Sequence, residues 1–213
     1  PPMKKNLWLL ALCQGLLSTN NVVFIAINGL VGLELAPFGW MATLPVMGYV
    51  VGGALSTPLV AASQARWGRR GSFQLGLVVA FLSAALCAWA AFSANFWLLC
   101  AATVIAGYYN ANGQLYRFAA AELTAPAFRE KAVSLVLAGG LLGAVAGPNL
   151  ASGTRNLFPV PFAGAYLALM LVALLAMVCM AGVHFESLPA PAPGAAAPPA
   201  GRPVSALLRQ PAF

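Results

Sequence analysis

Charged side chains are scarce in this 213-residue chain: they make up 7% of its residues, against about 25% in an ordinary soluble domain. There is one histidine, and all four acidic residues are glutamates that lie outside the long apolar runs. The sequence therefore offers no buried acid–base pair and no nucleophile constellation. We expect that the protein is not an enzyme and needs no cofactor.

Paired cysteine spacings are also missing, which removes the usual signs of a disulfide framework or a zinc site. Cys13, Cys87, Cys100 and Cys179 stand singly within apolar runs, where cysteine behaves as a small buried hydrophobe. They carry no information about the redox compartment.

Apolar residues are abundant, at 61% of the chain with a mean hydropathy of +0.84. Six runs reach the roughly 20 residues that a membrane-spanning helix needs. We number them segments 1 to 6: residues 7–31, 40–62, 71–93, 96–121, 132–150 and 162–183. Backbone groups in lipid must find partners within their own segment, so each run is predicted to be an α-helix. The sequence predicts an all-α integral membrane protein with six transmembrane helices.

The net charge of +7 has a one-sided distribution. If the N-terminus is cytoplasmic, ten of the eleven basic residues fall on the cytoplasmic side and only Arg155 falls outside, as the positive-inside rule requires. No basic cluster is interleaved with aromatic residues in a soluble segment, so we expect no nucleic-acid partner. The expected partners are the lipid bilayer and a small solute or metal ion.

The six segments form two sets of three with matching character. Segments 1 and 4 carry amides, segments 2 and 5 carry glycine and proline, and segments 3 and 6 are almost purely apolar. Because each set has three helices, the second set enters the membrane from the opposite side. Inverted repeats of this kind are typical of transporters, whose binding sites lie between the repeats near the bilayer midplane.

Amide side chains recur at helical spacing along segments 1 and 4, with neighbouring tyrosine on segment 4. An amide in hydrocarbon is costly unless it pairs or faces a water-filled cavity, so these residues are the candidates for a solute pathway, with Asn21 and Asn110 nearest mid-helix. The alternative is that they join helices, at about 0.6 kcal/mol per bond. The candidate pathway residues are Gln14, Asn21, Asn28, Tyr109, Asn110, Asn112 and Gln114.

Small residues on segments 2 and 5 allow close backbone approach, and a proline on each removes one helix hydrogen bond. We predict that both helices form a moving interface, although static packing also accounts for the glycines. The residues concerned are Gly48, Gly52, Gly53, Pro58, Gly139, Gly143, Gly147 and Pro148.

Three soft-metal ligands fall at helical spacing near the end of segment 6: Met177, Met180 and His184. Thioether and imidazole ligands suit Cu(I), so a metal-delivery site is one interpretation. Ordinary packing for the methionines and an interfacial position for the histidine is the alternative.

Segments 2 and 3 are joined by the sequence AASQARWGRR at residues 61–70. It resembles the loop signature of the major facilitator superfamily, G-x-L-A-D-R-x-G-R-R, at Arg66, Gly68, Arg69 and Arg70. The chain departs from that pattern at Ala65, where the signature has Asp, and at Thr103, where an arginine is expected. In that family the Asp and the arginine help to latch the two halves in one conformational state, so the resemblance implies that the usual charge latch is altered here.

The resemblance covers all six segments and implies the N-terminal half of a twelve-helix transporter. It further implies that segments 1 and 4 line the cavity, 2 and 5 form the sliding interface, and 3 and 6 face lipid. A partner C-terminal six-helix half is then expected. The residues assigned to a cytoplasmic gate are Arg66, Gly68, Arg69, Arg70, Arg117, Glu122 and Arg129, with Glu130 and Lys131 in the same loop network around Arg117.

Shorter matches are similar to a bacterial branch of the family that includes copper importers and relatives assigned to riboflavin. They lie at residues 19–21, 42–46, 108–112 and 209–211. The resemblance implies a bacterial inner-membrane protein that moves a small solute by alternating access, with copper as one candidate solute rather than a cofactor. Riboflavin or another small organic solute is the alternative, and a non-transporting membrane scaffold is a further one.

Three regions are expected along the chain. Residues 1–186 form the six-helix bundle, residues 187–203 form a Pro/Ala-rich cytoplasmic linker, and residues 204–213 begin the second half. A half-size protein that works as a homodimer is an alternative arrangement. No carboxylate lies at mid-membrane depth in these segments, so any proton coupling would need groups elsewhere.

Overall fold

The computed structural model describes residues 2–185, and within them helices are the only regular secondary structure. The α-helices are α1 (Pro2–Leu35), α2 (Leu44–Phe92), α3 (Phe96–Gly113), α4 (Tyr116–Glu122), α5 (Arg129–Thr154) and α6 (Ala163–Ala181), with 3-10 turns at Gly39–Met41 and Pro126–Phe128. Four helical stretches in this part of the chain are long and apolar enough to cross a membrane: Met3–Leu35, Gly39–Phe92, Pro126–Thr154 and Ala163–Ala181. The predicted linker and the start of a second half lie outside the described residues.

Helix α2 is a hairpin that contains predicted segments 2 and 3. Its 49 residues would extend about 75 Å if straight, more than twice the hydrocarbon thickness of a bilayer. The chain folds back at Gly68, whose φ of 70° and ψ of −179° are reached readily only by glycine. The first arm (residues 44–67) and the second arm (residues 69–92) then lie side by side. The expected loop between segments 2 and 3 is therefore reduced to a single non-helical residue.

Predicted segment 4 is divided into α3 and α4, and this corrects the expectation of one continuous helix. The join at residues 114–115 is a tight turn in which the Leu115 N–H donates to the Asn112 carbonyl over 3.1 Å. Gly113 ends α3 directly against the Leu17 side chain of α1, where a larger residue would overlap it. The chain keeps hydrogen bonding through the turn, so only a short tightening separates the two helices.

Glycines bring two helix pairs into backbone contact. A methyl group at Gly143 of α5 would collide with the Gly15 backbone of α1, and one at Gly107 of α3 would collide with Gly52 and Gly53 of the first arm. Both pairs therefore pack as small-residue interfaces. These contacts hold α5 on α1 and α3 on α2.

Two apolar clusters fill the interior, one above the other. On α1 the first cluster begins at Val23 and the second ends at Leu17. On α3 the first ends at Ala106 and the second begins at Tyr109. Asn21 of α1 lies in the stretch between the clusters, and the Asn110 residue of α3 to which it bonds lies at the edge of that stretch.

Candidate solute pathway

A polar cluster joins α1, the first arm of α2, and α3 at this middle level. The Asn21 Nδ2 atom donates to Asn110 Oδ1 over 3.1 Å, and the Tyr49 hydroxyl donates to Asn21 Oδ1. Gln114, the residue directly after α3, donates from Nε2 to the same Asn110 Oδ1 over 3.3 Å. We call Asn21, Tyr49, Asn110 and Gln114 the central amide cluster.

The central amide cluster is open on one side. Tyr49 is buried against Phe24, with ring centroids 4.6 Å apart, whereas Asn21 and Asn110 are half-buried and Gln114 is exposed. The cluster contains no ionisable carboxylate or basic group. An amide offers both donors and an acceptor, so this surface suits a neutral polar solute better than a bare ion.

Gln14 lies further along α1, beside Gly140 of α5. A methyl group at Gly140 would stand 3.1 Å from Ser18 Oγ and 3.5 Å from Gln14 Nε2. Gln14 is half-buried, and its side chain makes no hydrogen bond to any of the described residues. It is therefore available to a ligand or to water.

Three other candidate pathway residues lie inside the bundle instead. Asn28 is 0% exposed; it donates to the Phe24 carbonyl over 2.8 Å and accepts from the Tyr166 hydroxyl of α6 over 2.7 Å. Asn112 is 1% exposed and bonds to Ser72 in the second arm of α2. Tyr109 is buried as well, and its hydroxyl has no partner among the described residues. For Asn28 and Asn112 the geometry favours the helix-joining interpretation over contact with a solute, whereas Tyr109 is buried without a hydrogen bond from its hydroxyl.

The signature loop is tied to the end of α4. Arg69 forms a bidentate ion pair with Glu122, in which the distance from Nε to Oε2 is 3.0 Å. It also donates a hydrogen bond to Gln64. Arg70 donates to the Ala181 carbonyl at the end of α6 over 2.7 Å, where a cation complements the helix dipole. Arg66 stacks on its neighbour Trp67. Gly68 provides the reversal between Arg66 and Arg69.

The expected loop network around Arg117 is not what the structure contains. Glu122 pairs with Arg69 rather than with Arg117, which lies over the Phe118 ring. Arg129 and Glu130 form no ion pair within residues 2–185, and Lys131 lies over the Phe128 ring. Glu122 pairs with Arg69 because the Gly68 reversal places Arg69 beside the end of α4.

The glycines predicted to form a moving interface pack within the described bundle. Gly48, Gly52 and Gly53 face α3, Gly139 and Gly143 face α1, and Gly147 meets the Val22 side chain. Pro58 and Pro148 are exposed inside α2 and α5 respectively. This geometry accounts for the glycines by packing, and motion along these helices stays a prediction.

The candidate metal ligands Met177 and Met180 on α6 and His184 just beyond it do not share an open face. Met180 is fully buried, Met177 is half-buried and packs against the second apolar cluster, and His184 is exposed. The His184 Nδ1 atom lies 3.1 Å from the Gly182 carbonyl oxygen. A metal bound by all three residues would require Met180 to leave its packed position.

Tyr49 is the member of the central amide cluster that sequence reasoning missed. Segment 2 was characterised by its glycine and proline, and Tyr49 follows Gly48 in that row. A tyrosine in the interior of a membrane helix, away from the interfaces that tyrosine prefers, is a signal for a hydrogen-bond partner. Which partner it meets depends on how α2 packs on α1.

Two surface grooves flank the bundle, and neither contains the central amide cluster. One of about 360 Å³ runs between the two arms of α2 and α3 and is lined mostly by apolar residues such as Leu55, Val79 and Ile105. The other, of about 300 Å³, lies between the start of α1 and the start of α5 and has Lys4 and Lys131 at its edge. Within the described residues, the central amide cluster is a partly exposed polar patch.

Comparison with known families decides the identity of this chain. A family model described as Major Facilitator Superfamily matches residues 7–213. The chain belongs to the major facilitator superfamily. Membership agrees with the Arg66–Arg70 signature loop, and this is not a family of enzymes. The chain is accordingly a multi-pass membrane protein.

Two known proteins are similar to this chain, one in sequence and one in fold. The riboflavin transporter RfnT of Brucella anthropi is 32% identical over 216 aligned residues, which cover 99% of this chain and 52% of that protein. The crystal structure of the human organic anion transporter MFSD10 (TETRAN) aligns with a TM-score of 0.65 at 20% identity, covering 86% of this chain and 48% of that one. The second likeness concerns the fold alone. The chain spans about half the length of each.

Proposed function

We propose that this chain forms the N-terminal half of a transporter that moves a small neutral organic solute of the riboflavin type by alternating access. The observation that carries the proposal is the central amide cluster, which is neutral, partly open and shared by the helices of both three-helix sets. The 32% identity with a riboflavin transporter over 99% of the chain supports this choice of solute. Copper, the other candidate, has no support from a relative or from the geometry of Met177, Met180 and His184.

The proposed architecture has six transmembrane helices as two inverted three-helix repeats. The two arms of α2 count as two spans, and α3 with α4 as one. The paired glycine contacts support this arrangement, since α5 packs on α1 as α3 packs on the first arm. A C-terminal six-helix half would cover the open side of the central amide cluster.

The proposed location is a bacterial inner membrane with a cytoplasmic N-terminus. Arg66→Cys and Asn156→Cys place reporter thiols at the Gly68 reversal and beyond α5. Asn156→Cys should react with an impermeant thiol reagent in intact cells, and Arg66→Cys only after the membrane is permeabilised. The reverse pattern would invert the proposed topology.

Uptake of radiolabelled riboflavin tests the proposed function. In riboflavin-auxotrophic cells the wild type should support uptake, and Asn21→Ala and Asn110→Ala should each raise KM. A neutral hydrogen bond contributes about 0.5–1.5 kcal/mol, so the expected rise is roughly two- to twelvefold. Asn149→Ala is the matched control, because Asn149 is exposed and bonds only to the Val145 carbonyl of its own helix.

The outcomes separate the alternatives. Wild-type KM values in both variants would remove the central amide cluster from the pathway. Copper uptake without riboflavin uptake, measured in the same cells, would replace the solute. A membrane-inserted protein that takes up neither is what the scaffold alternative predicts.

A further inference from the structure

A second polar cluster lies at the closed end of the α2 hairpin, beside the Gly68 reversal. Ser63 in the first arm and Ser72 in the second arm place their Oγ atoms 2.6 Å apart. Asn112 of α3 donates from Nδ2 to the Ser72 carbonyl over 2.6 Å, and the Tyr108 hydroxyl of α3 donates to Ser63 Oγ over 2.9 Å. We call Ser63, Ser72, Tyr108 and Asn112 the hairpin clasp.

The protons of the hairpin clasp can be assigned consistently. Ser63 donates to the Val60 carbonyl over 2.8 Å and accepts from both Tyr108 and Ser72. This uses one donor and two acceptor positions, which is the full capacity of a hydroxyl. Ser63, Ser72 and Asn112 are all buried. Bonds in such a site are strong, and a partner left without its bond is costly.

The surrounding residues make room for this arrangement. Gly76 lies directly against Asn112, so that even a methyl group at Gly76 would overlap the Asn112 amide. Thr103 occupies the position at which the resemblance predicts an arginine. It is fully buried, and a methyl group at Gly48 would lie 2.9 Å from its Oγ1 atom. Neither Thr103 nor Ala65 carries a charge. The groups that bridge the hairpin to α3 inside the bundle are therefore neutral.

We propose that Asn112 is a positioning residue for transport: through the hairpin clasp it fixes both arms of α2 to α3, so that these helices move as one body. The inference rests on the proposed function, because a rigid half is what alternating access requires. Without the clasp, the Gly68 reversal would act as a hinge between the arms. Asn112 thus serves transport without touching the solute, unlike its neighbour Asn110 two positions earlier.

Hydrogen exchange and uptake together test the inference, and both use the full-length protein. Exchange is measured on purified protein, and uptake is measured in cells. Asn112→Ala should accelerate exchange of the backbone amides at residues 69–76 about tenfold, because the buried Ser72 carbonyl loses the hydrogen bond that it accepts from the Asn112 amide. It should also lower the maximal rate of riboflavin uptake with KM unchanged. Asn110→Ala should show the opposite pattern, a raised KM with unchanged exchange.

Three further variants keep the result interpretable. Ser72→Ala removes one hydroxyl of the clasp and should accelerate exchange by a smaller factor, which provides a reading if Asn112→Ala does not fold. Ser83→Ala is the matched control in the same arm, since Ser83 is buried but bonds only to the Ala80 carbonyl of its own helix. Glu122→Gln weakens the exposed Arg69 pair and should affect exchange less than Asn112→Ala does.

Unchanged exchange at residues 69–76 in both clasp variants would overturn the hairpin clasp. Accelerated exchange with an unchanged maximal uptake rate would overturn the positioning role. If the wild type takes up no riboflavin or other tested solute, the proposed function fails and the positioning role with it. The exchange data still decide on the clasp itself in that case.

Discussion

Two pairs of asparagines on the same two helices have different surroundings. Asn21 of α1 and Asn110 of α3 bond to each other and remain half-buried. Asn28 and Asn112, two turns further along α1 and two residues further along α3, are sealed against α6 and the second arm of α2. The comparison teaches that an amide in a membrane helix acquires its role from the helix that it faces. One pair remains partly exposed, and each member of the other pair bonds to a neighbouring helix.

The largest effect on folding is expected at the contact that holds α5 on α1, because its loss would disturb both kinds of asparagine. Gly143→Ala places a methyl group on the Gly15 backbone and should prevent correct packing of the helix that carries Asn21 and Asn28. We expect little folded protein by size-exclusion chromatography in detergent. Gly153→Ala makes the same change on the same helix where nothing lies within 4 Å, and it should be harmless. Equal yields for the two variants would contradict the packing assignment.

The next largest effect concerns the buried asparagines and tests whether Asn28 stabilises the fold. Asn28→Ala leaves the Tyr166 hydroxyl buried without its partner, so the free energy of unfolding should fall by about 1–2 kcal/mol. The KM for solute should not change. Thermal unfolding in detergent measures the stability, and Tyr166→Phe, which removes the other partner of the bond, should lower it less. A raised KM with normal stability would assign Asn28 to the pathway after all.

A smaller effect concerns the half-buried asparagines and tests whether Tyr49 acts together with Asn21. Tyr49→Phe frees Asn21 Oδ1 while it preserves the ring that packs on Phe24. Loss of one neutral hydrogen bond should change KM for riboflavin roughly two- to tenfold, with unfolding affected less than in Asn28→Ala. If Asn21→Ala removes the effect of Tyr49→Phe in the double variant, the two residues act together. Additive effects would separate them.

The smallest effect concerns an exposed ion pair that includes neither pair of asparagines. The Arg69 and Glu122 side chains are 27% and 55% exposed, and exposed pairs contribute about 0–1 kcal/mol. Glu122→Gln should therefore lower stability by less than 1 kcal/mol, and the difference should shrink in high salt. Unfolding in low and high sodium chloride measures both. A loss as large as that of Asn28→Ala would place this pair among the main supports of the bundle.

The limits of prediction from sequence show most clearly at the hairpin and at segment 4. Helix-length apolar runs located segments 2 and 3 because the requirement for internal backbone hydrogen bonding in lipid acts on each segment separately. The Gly68 reversal is more compact than the expected loop, since one residue with positive φ suffices when serines in both arms hold the helical turns beside it. The break after Gly113 depends on the Leu17 side chain of another helix. No local pattern contains that information.

The candidate site divides in the same way. Helical spacing identified Asn21, Asn110 and Gln114 as polar positions, because burying an amide in hydrocarbon is costly wherever it occurs. Spacing could not separate Asn110 from Asn112, since both positions satisfy the same rule and differ only in the neighbour that they meet. The sequence also predicted that Glu122 pairs with Arg117, whereas Glu122 pairs with Arg69. This pairing depends on the Gly68 reversal, which brings Arg69 close to Glu122.

By itself, the amino-acid sequence determined the class of protein, the positions of its apolar helices and the polar residues that need partners. These follow from the free energy of transferring each side chain and each peptide group into lipid, which is a local quantity. Only the tertiary structure decided which amides stay open, which close the α2 hairpin on α3, and that Tyr49 joins Asn21. Those outcomes depend on glycine contacts between helices far apart in the chain, and a contact energy exists only once both surfaces are in place.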